Sequence, residues 1–198
     1  MLKKIKKAFA ARHLFDNWYS LLIKYVLTKV GFKVRLKVKI DGCIHEVTPE
    51  VFARLVSRYY RGLIKSVKCI DGRLFVNDVE VNSISDVIYD FETSAKVLGW
   101  RYDEFRRCWV KDGVKFKRLD PTILDVLGTY VEGEYAFLDV SNRDVVDVGA
   151  YVGDSAIYFA LRGARRIIAI EPHPEAFREM IENIKLNNLE NVIIPVNA

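Results

Sequence analysis

The chain has 198 residues, 51% of them apolar, and a formal charge of +5, enough for one large domain or two small ones. This balance excludes a disordered, low-complexity chain. No apolar run approaches the ~20 residues of a membrane span, and the basic start, Met1 to Lys7, lacks the small-residue cleavage site of a secretory signal.

Charge is unevenly placed. Residues 1–40 carry eleven Lys or Arg against a single acid, Asp16, which leaves the remainder net acidic. Such a segment can meet nucleic acid, an anionic lipid surface, or only water. The three cysteines, Cys43, Cys69 and Cys108, are odd in number and form no Cys-x-x-Cys pair. They are expected to be structural thiols in a reducing cytoplasm.

Taken in chain order, the first thirty residues predict one helix, with Leu14, Trp18, Leu21, Leu22 and Tyr25 on the 3.6-residue period and Gly31 closing it. Val34, Leu36, Val38 and Ile40 then alternate with Lys33, Arg35, Lys37 and Lys39, a strand with one cationic face. Asp41-Gly42 is a two-residue hairpin turn, repeated at Asp71-Gly72 and Asp112-Gly113. Thr48-Pro49-Glu50 starts a helix bearing Val51, Leu55, Val56 and Tyr59. Ile84, Ile88, Phe91, Ala95 and Leu98 mark another before Gly99-Trp100, and Asp120-Pro121 starts a short one. Three hairpin signals predict an antiparallel α+β region, placed at 1–127.

From Asp144 the pattern becomes regular. Strands are expected at 144–148, 166–170 and 191–196, with helices at 155–161 and from Pro174 to Asn187-Asn188. The second helix should bury Phe177, Met180, Ile181 and Ile184. Strands alternating with helices require right-handed parallel crossovers, so the fold class is α/β, a partial Rossmann-like sheet over 128–198.

The turn after the first of these strands reads Asp147-Val148-Gly149-Ala150-Tyr151-Val152-Gly153-Asp154-Ser155. A dinucleotide fingerprint is Gly-x-Gly-x-x-Gly, whereas here an acid sits at the strand end and the glycines are four apart. A carboxylate there repels a pyrophosphate but accepts a hydrogen bond from an ammonium group. The helix amino terminus around Asp154 and Ser155 can receive a carboxylate. Ammonium plus carboxylate is an amino-acid head, as in S-adenosylmethionine. Glu171, at the tip of the next strand, is placed to accept hydrogen bonds from ribose hydroxyls. No Ser/His/Asp set, paired-His metal motif or Walker loop occurs, so neither a metal site nor a catalytic base is named.

That turn, with Tyr158-Phe-Ala-Leu-Arg-Gly-Ala164, Ala169-Ile-Glu-Pro-His-Pro174, Asn183-Ile-Lys-Leu-Asn187 and Asn191 to Ala198, resembles the FkbM-type class I S-adenosylmethionine-dependent methyltransferases. The resemblance is specific over about 128–198. It implies O-methylation of a small-molecule, sugar or lipid hydroxyl. It further implies a cofactor site made by Asp147, Gly149, Ala150, Tyr151, Gly153 and Ser155, with Glu171 on the ribose, Pro172 and His173 beside the adenine, and Asn197 near its amino group. Tyr151 departs from the more usual Asn. Taken alone, His173 is more simply a loop residue, Asn197 a chain-terminal residue without a partner, and Asn187 and Asn188 helix-ending residues.

Class I methyltransferases order their strands 3-2-1-4-5-7-6, of which this sequence supplies 3, 2 and 1. Strand one then lacks a neighbour, with Val145, Val146 and Val148 along an unprotected edge. Three expectations follow: a truncated, inactive product; a half completed by a partner chain or by self-association through that edge; or an amino-terminal region that covers it. Two further functions stand beside the small-molecule reading. One is an RNA methyltransferase or RNA-binding derivative, motivated by the basic start and by Asn183-Ile-Lys-Leu-Asn187. The other is a non-enzymatic cofactor-binding remnant acting in assembly.

Overall fold

The computed structural model describes residues 9–118, 129–130 and 133–198. The chain divides into two compact units, Met1–Gly99 and Trp100–Ala198. The division falls ahead of the 127/128 boundary expected from sequence. The third Asp-Gly hairpin thus shares a unit with the parallel sheet, and the helix expected from Asp120-Pro121 falls outside the described residues.

In the first unit the helix expected over the first thirty residues is interrupted within its described part, from residue 9 on. A short 3-10 turn spans Ala10–His13 and a helix, α1, spans Trp18–Lys29. Between them the chain is used for something else. The Asp16 N–H donates to the Lys39 carbonyl at 2.8 Å, and the Asn17 side chain bonds the Lys37 carbonyl and the Lys39 N–H at 2.8 and 2.9 Å. Residues that would continue the helix instead satisfy the open edge of a strand.

That strand, β1 (Leu36–Ile40), pairs antiparallel with β2 (Cys43–Val47) around Asp41-Gly42. Both turn residues have positive φ, 47° and 86°, as a type I′ turn requires. Leu36, Val38 and Ile40 are buried while Lys37 and Lys39 face out. Helix α2 (Pro49–Tyr60) follows. The Thr48 hydroxyl accepts the Val51 N–H at 3.2 Å, Pro49 sits in the first turn, and Val51, Phe52, Leu55 and Val56 face the core.

Strands β3 (Val67–Ile70), β4 (Arg73–Val76) and β5 (Val79–Val81) form an antiparallel meander. Its second turn, Asn77-Asp78 with φ 50° and 64°, carries no glycine and escaped the sequence reading. The expected helix through Ile84–Leu98 breaks in two, α3 (Asp86–Tyr89) and α4 (Phe91–Val97). Asp90 adopts an extended backbone and its carboxylate caps the Thr93 N–H at 2.8 Å, so it starts a new helix instead of continuing the old one.

The expectation of three free thiols is corrected. Cys43 and Cys69 form a disulfide with their Cα atoms 6.3 Å apart, and Cys108 alone is free and buried. The 26-residue separation hides the pairing. The Asp41 carboxylate accepts the Cys69 N–H at 2.9 Å, so the turn that begins β2 is held against β3 and brings Cys43 within reach.

The second unit begins with β6 (Arg101–Asp103), β7 (Cys108–Lys111) and β8 (Val114–Phe116), an antiparallel meander containing Asp112-Gly113. A parallel sheet in the order β11-β10-β9 follows. It comprises β9 (Asp144–Val148), α5 (Asp154–Leu161), β10 (Arg166–Ile170), α6 (Pro174–Leu186) and β11 (Ile193–Val196). Strands advancing in one direction through right-handed crossovers place both helices on one face. Ile167, Ala169 and Ile193 are buried beneath them. In α6, Met180 and Ile184 are buried as expected, whereas Phe177 and Ile181 are only half-buried and Ala176 and Asn183 take the remaining core positions. On the opposite face Val146, Val148, Ile168 and Ile194 are exposed. Among the described residues, no helix is long and apolar enough to cross a membrane.

Candidate functional site

The carboxyl ends of β9 and β10 carry the glycine turn. The Gly149 and Ala150 N–H groups donate to the Ile170 carbonyl at 2.9 and 3.0 Å, folding the turn back across the tip of β10. The Gly153 N–H closes it on the Ala150 carbonyl at 2.7 Å. Gly149 and Gly153 hold φ of 78° and 83°, which L side chains resist. The two glycines serve different ends. A Cβ at Gly153 would sit 2.9 Å from Met180 Cγ, so this glycine lets α5 and α6 approach. A Cβ at Gly149 would meet nothing within 4 Å, so that glycine faces open space.

Asp147 pairs with Ala169 across the ladder, and Glu171 lies two residues beyond Ala169 on the same face. The two carboxylates therefore stand on one side of neighbouring strand ends. Asp147 accepts the Ser155 hydroxyl at 2.6 Å. Burial pushes its carboxyl pKa up, and the Ser155 hydrogen bond offsets part of that rise. A half-buried carboxylate short of partners is a good acceptor for a cation.

Glu171 is 6% exposed. One oxygen accepts the Tyr151 N–H and the other the His173 N–H, both at 2.8 Å. Each oxygen keeps a further lone pair for a ligand hydroxyl. The contact explains Tyr151, a non-glycine residue at φ 48°, where Asn is the easier occupant: its N–H is tied to Glu171. Pro172 and His173 are exposed just past this tip, and His173 precedes the first turn of α6. Asn197 has partners after all: its side-chain amide donates to the Glu171 and Pro172 carbonyls at 2.7 and 3.2 Å. Ala150, within the turn, is buried.

Asp147, the glycine turn, Ser155, Glu171, His173 and Asn197 thus gather at one end of the parallel sheet. Asp154 turns away: its carboxylate accepts the Thr129 hydroxyl at 2.6 Å, and the Tyr130 hydroxyl donates to its carbonyl at 3.1 Å. Burial, and then the Asp154 charge, push the Tyr130 phenol well above its ordinary pKa, so it remains a donor. Gly153 offers no side-chain cap to the start of α5, and a helix amino terminus favours an anion such as a ligand carboxylate.

Sequence reasoning did not foresee what Asn183 and Asn187 do. Asn187 bonds the Lys115 N–H and carbonyl at 2.9 and 2.7 Å, and Asn183 bonds the Lys117 N–H at 2.8 Å and the Val152 carbonyl at 2.9 Å. Their spacing of four, one helical turn on the face that buries Met180 and Ile184, was the available signal. Among the described residues no cluster of His, Cys, Asp and Glu could hold a metal ion.

Comparison with known proteins locates a likeness over the same stretch. The TRM5/TYW2 methyltransferase domain matches residues 133–198, in place of the FkbM family expected from the motifs. A proposed protein N5-glutamine methyltransferase of Methanocaldococcus jannaschii is 32% identical over 39% of this chain and 39% of its own. A tRNA(Phe) (4-demethylwyosine(37)-C(7)) aminocarboxypropyltransferase of Pyrococcus horikoshii is 33% identical over 41% of this chain and 30% of its own. The crystal structure of Trm5b from Pyrococcus abyssi aligns at 25% identity over 46% of this chain and 27% of that one, with a TM-score of 0.37. The chain therefore spans well under half the length of the proteins it matches.

Proposed function

We propose that the second unit binds S-adenosylmethionine and serves group transfer from it to RNA. One observation carries the cofactor: two carboxylates, Asp147 and Glu171, stand on one face at neighbouring strand ends, flanking a glycine turn whose Gly149 faces open space. Asp147 suits the ammonium group and the amino-terminal end of α5 suits the carboxylate. Glu171, fixed by two backbone N–H groups, suits the ribose diol, with Pro172, His173 and Asn197 beside the base. When bound, the cofactor supplies an electrophilic carbon on a sulfonium. The chain's residues orient it, since transfer asks chiefly for in-line placement.

RNA as acceptor is supported by the match to the TRM5/TYW2 domain, by the tRNA-modifying relative, and by the excess of cations in residues 1–40, where β1 turns Lys37 and Lys39 to solvent. These observations favour RNA over the small-molecule hydroxyl implied by the FkbM resemblance.

Calorimetric titration with S-adenosylhomocysteine tests the cofactor. Saturable binding is expected, weakened about tenfold or more by Glu171→Gln, the equivalent of one charge-assisted hydrogen bond. Folded protein that binds nothing would refute the reading. Retention on RNA should fall steeply with added salt, and salt-independent retention would remove RNA as the acceptor.

A further inference from the structure

Asn183 lies in the last turn of α6 with its side chain wholly buried. Its two polar atoms point to different parts of the second unit. Oδ1 accepts the Lys117 N–H just past β8, and Nδ2 donates to the Val152 carbonyl inside the glycine turn. Val152 is itself 1% exposed, so its carbonyl has no recourse to water. Asn187, one turn later, fastens the same helix to the same strand through Lys115, and among the described residues it makes no hydrogen bond to the turn. The helix supplies two near-identical straps, and only one reaches the candidate site.

The turn needs such a hold. Tyr151 and Gly153 both sit at positive φ, on either side of Val152. From the open side the turn is fixed by Glu171 through the Tyr151 N–H. From the closed side it is fixed by Asn183. The next residues open α5 and carry Ser155, whose hydroxyl orients Asp147. A shift of the Val152 carbonyl in search of another donor would be passed to Ser155 and thence to Asp147.

We propose that Asn183 is the positioning residue of this turn: it sets the cofactor-facing backbone from behind, without touching the ligand, and couples it to the β6–β8 meander. The proposal rests on the reading of the second unit as an S-adenosylmethionine cradle. Loss of the donor function alone should therefore weaken ligand binding while the helix remains docked.

The test is calorimetric titration of the full chain with S-adenosylhomocysteine, comparing the native protein, Asn183→Asp and Asn187→Ala. Asn183→Asp keeps the volume and the acceptor for the Lys117 N–H, and removes only the donor to Val152. Affinity is expected to fall about tenfold or more, as for a buried carbonyl left facing a carboxylate. Asn187→Ala should stay within about threefold of the native protein despite its lost strap. As pH falls, the substituted acid takes up a proton and regains an O–H donor. Its affinity relative to the native protein at the same pH should then recover, which a scaffolding role does not predict.

Hydrogen exchange on the native chain tests the coupling without any variant: saturating ligand should slow exchange at the Lys117 N–H. Equal affinities of folded Asn183→Asp and native protein at every pH up to the alkaline range, equal losses in both variants, or an unchanged Lys117 rate on saturation would each overturn the proposal. Failure of the native protein to bind would overturn the cofactor reading instead.

Discussion

Strands β1 and β9 are each five residues long, yet they treat their faces differently. β1 buries Leu36, Val38 and Ile40 and turns lysines to water, so its sheet needs cover on one side only. β9 has apolar residues on both faces and leaves Val146 and Val148 62% and 77% exposed, beside Ile168 and Ile194 on neighbouring strands. Antiparallel hairpins tolerate one wet face, whereas parallel sheets are normally covered on both. The edges differ as well. The open edge of β1 is satisfied by Asn17 and that of β8 by Asn187, whereas among the described residues β9 pairs on one side, with β10. The meanders close themselves with short local devices. The parallel sheet has a helix-covered face, where Asp147 and Glu171 lie, and an apolar face that the described residues leave exposed.

The sharpest way to break this contrast is to cut into both faces of the parallel sheet. Ile167→Ala, on the helix-covered face, should cost about 2–5 kcal/mol, whereas Val148→Thr on the bare face should stay within about 0.5 kcal/mol. Urea unfolding of the two variants compares them directly. Equal losses would mean that the bare face is covered in solution.

The units should also differ in redox response. Removing the Cys43–Cys69 link, by reductant or by Cys43→Ser with Cys69→Ser, should cost the first unit about 3–4 kcal/mol for a loop of this size. Amide exchange of β9–β11 should stay unchanged. A protein whose two units lose protection together on reduction would show that they unfold as one.

The smallest effect concerns Asp147. Burial raises its folded pKa above the unfolded value, so its contribution to stability is complete below the ordinary carboxylate pKa of about 3.9. That contribution is lost as pH rises through the raised folded value. Asp147→Asn should flatten this part of the profile and make the empty protein modestly more stable near neutral pH, while weakening cofactor binding. Urea midpoints at acid and neutral pH check it. Parallel profiles for variant and native protein would show that the carboxylate carries no such strain.

Much of the fold was legible because it rests on local chemistry. The three Asp-Gly turns and the Thr48-Pro49 helix start each lie within a few consecutive residues, and each member of the β9–α5–β10–α6–β11 alternation follows its own short apolar period. The candidate site was legible for the same reason: Asp147, Gly149, Gly153 and Glu171 are fixed by strand ends and a turn. Asp16, Asn17 and Asp90 misled, because their neighbours keep helical periodicity while their own side chains or backbone groups bond elsewhere. The Asn77-Asp78 turn was missed because positive φ was sought at glycines.

The sequence by itself determined the hairpins, the alternating strands and helices, and the acid-glycine-glycine-acid order of the candidate site. Each depends on backbone preference or apolar period over short stretches. Tertiary structure alone decided that Cys43 meets Cys69 and that Asn183 reaches both Lys117 and Val152. Those outcomes depend on which distant segments come together, and burial and hydrogen-bond satisfaction settle that only once the chain has folded.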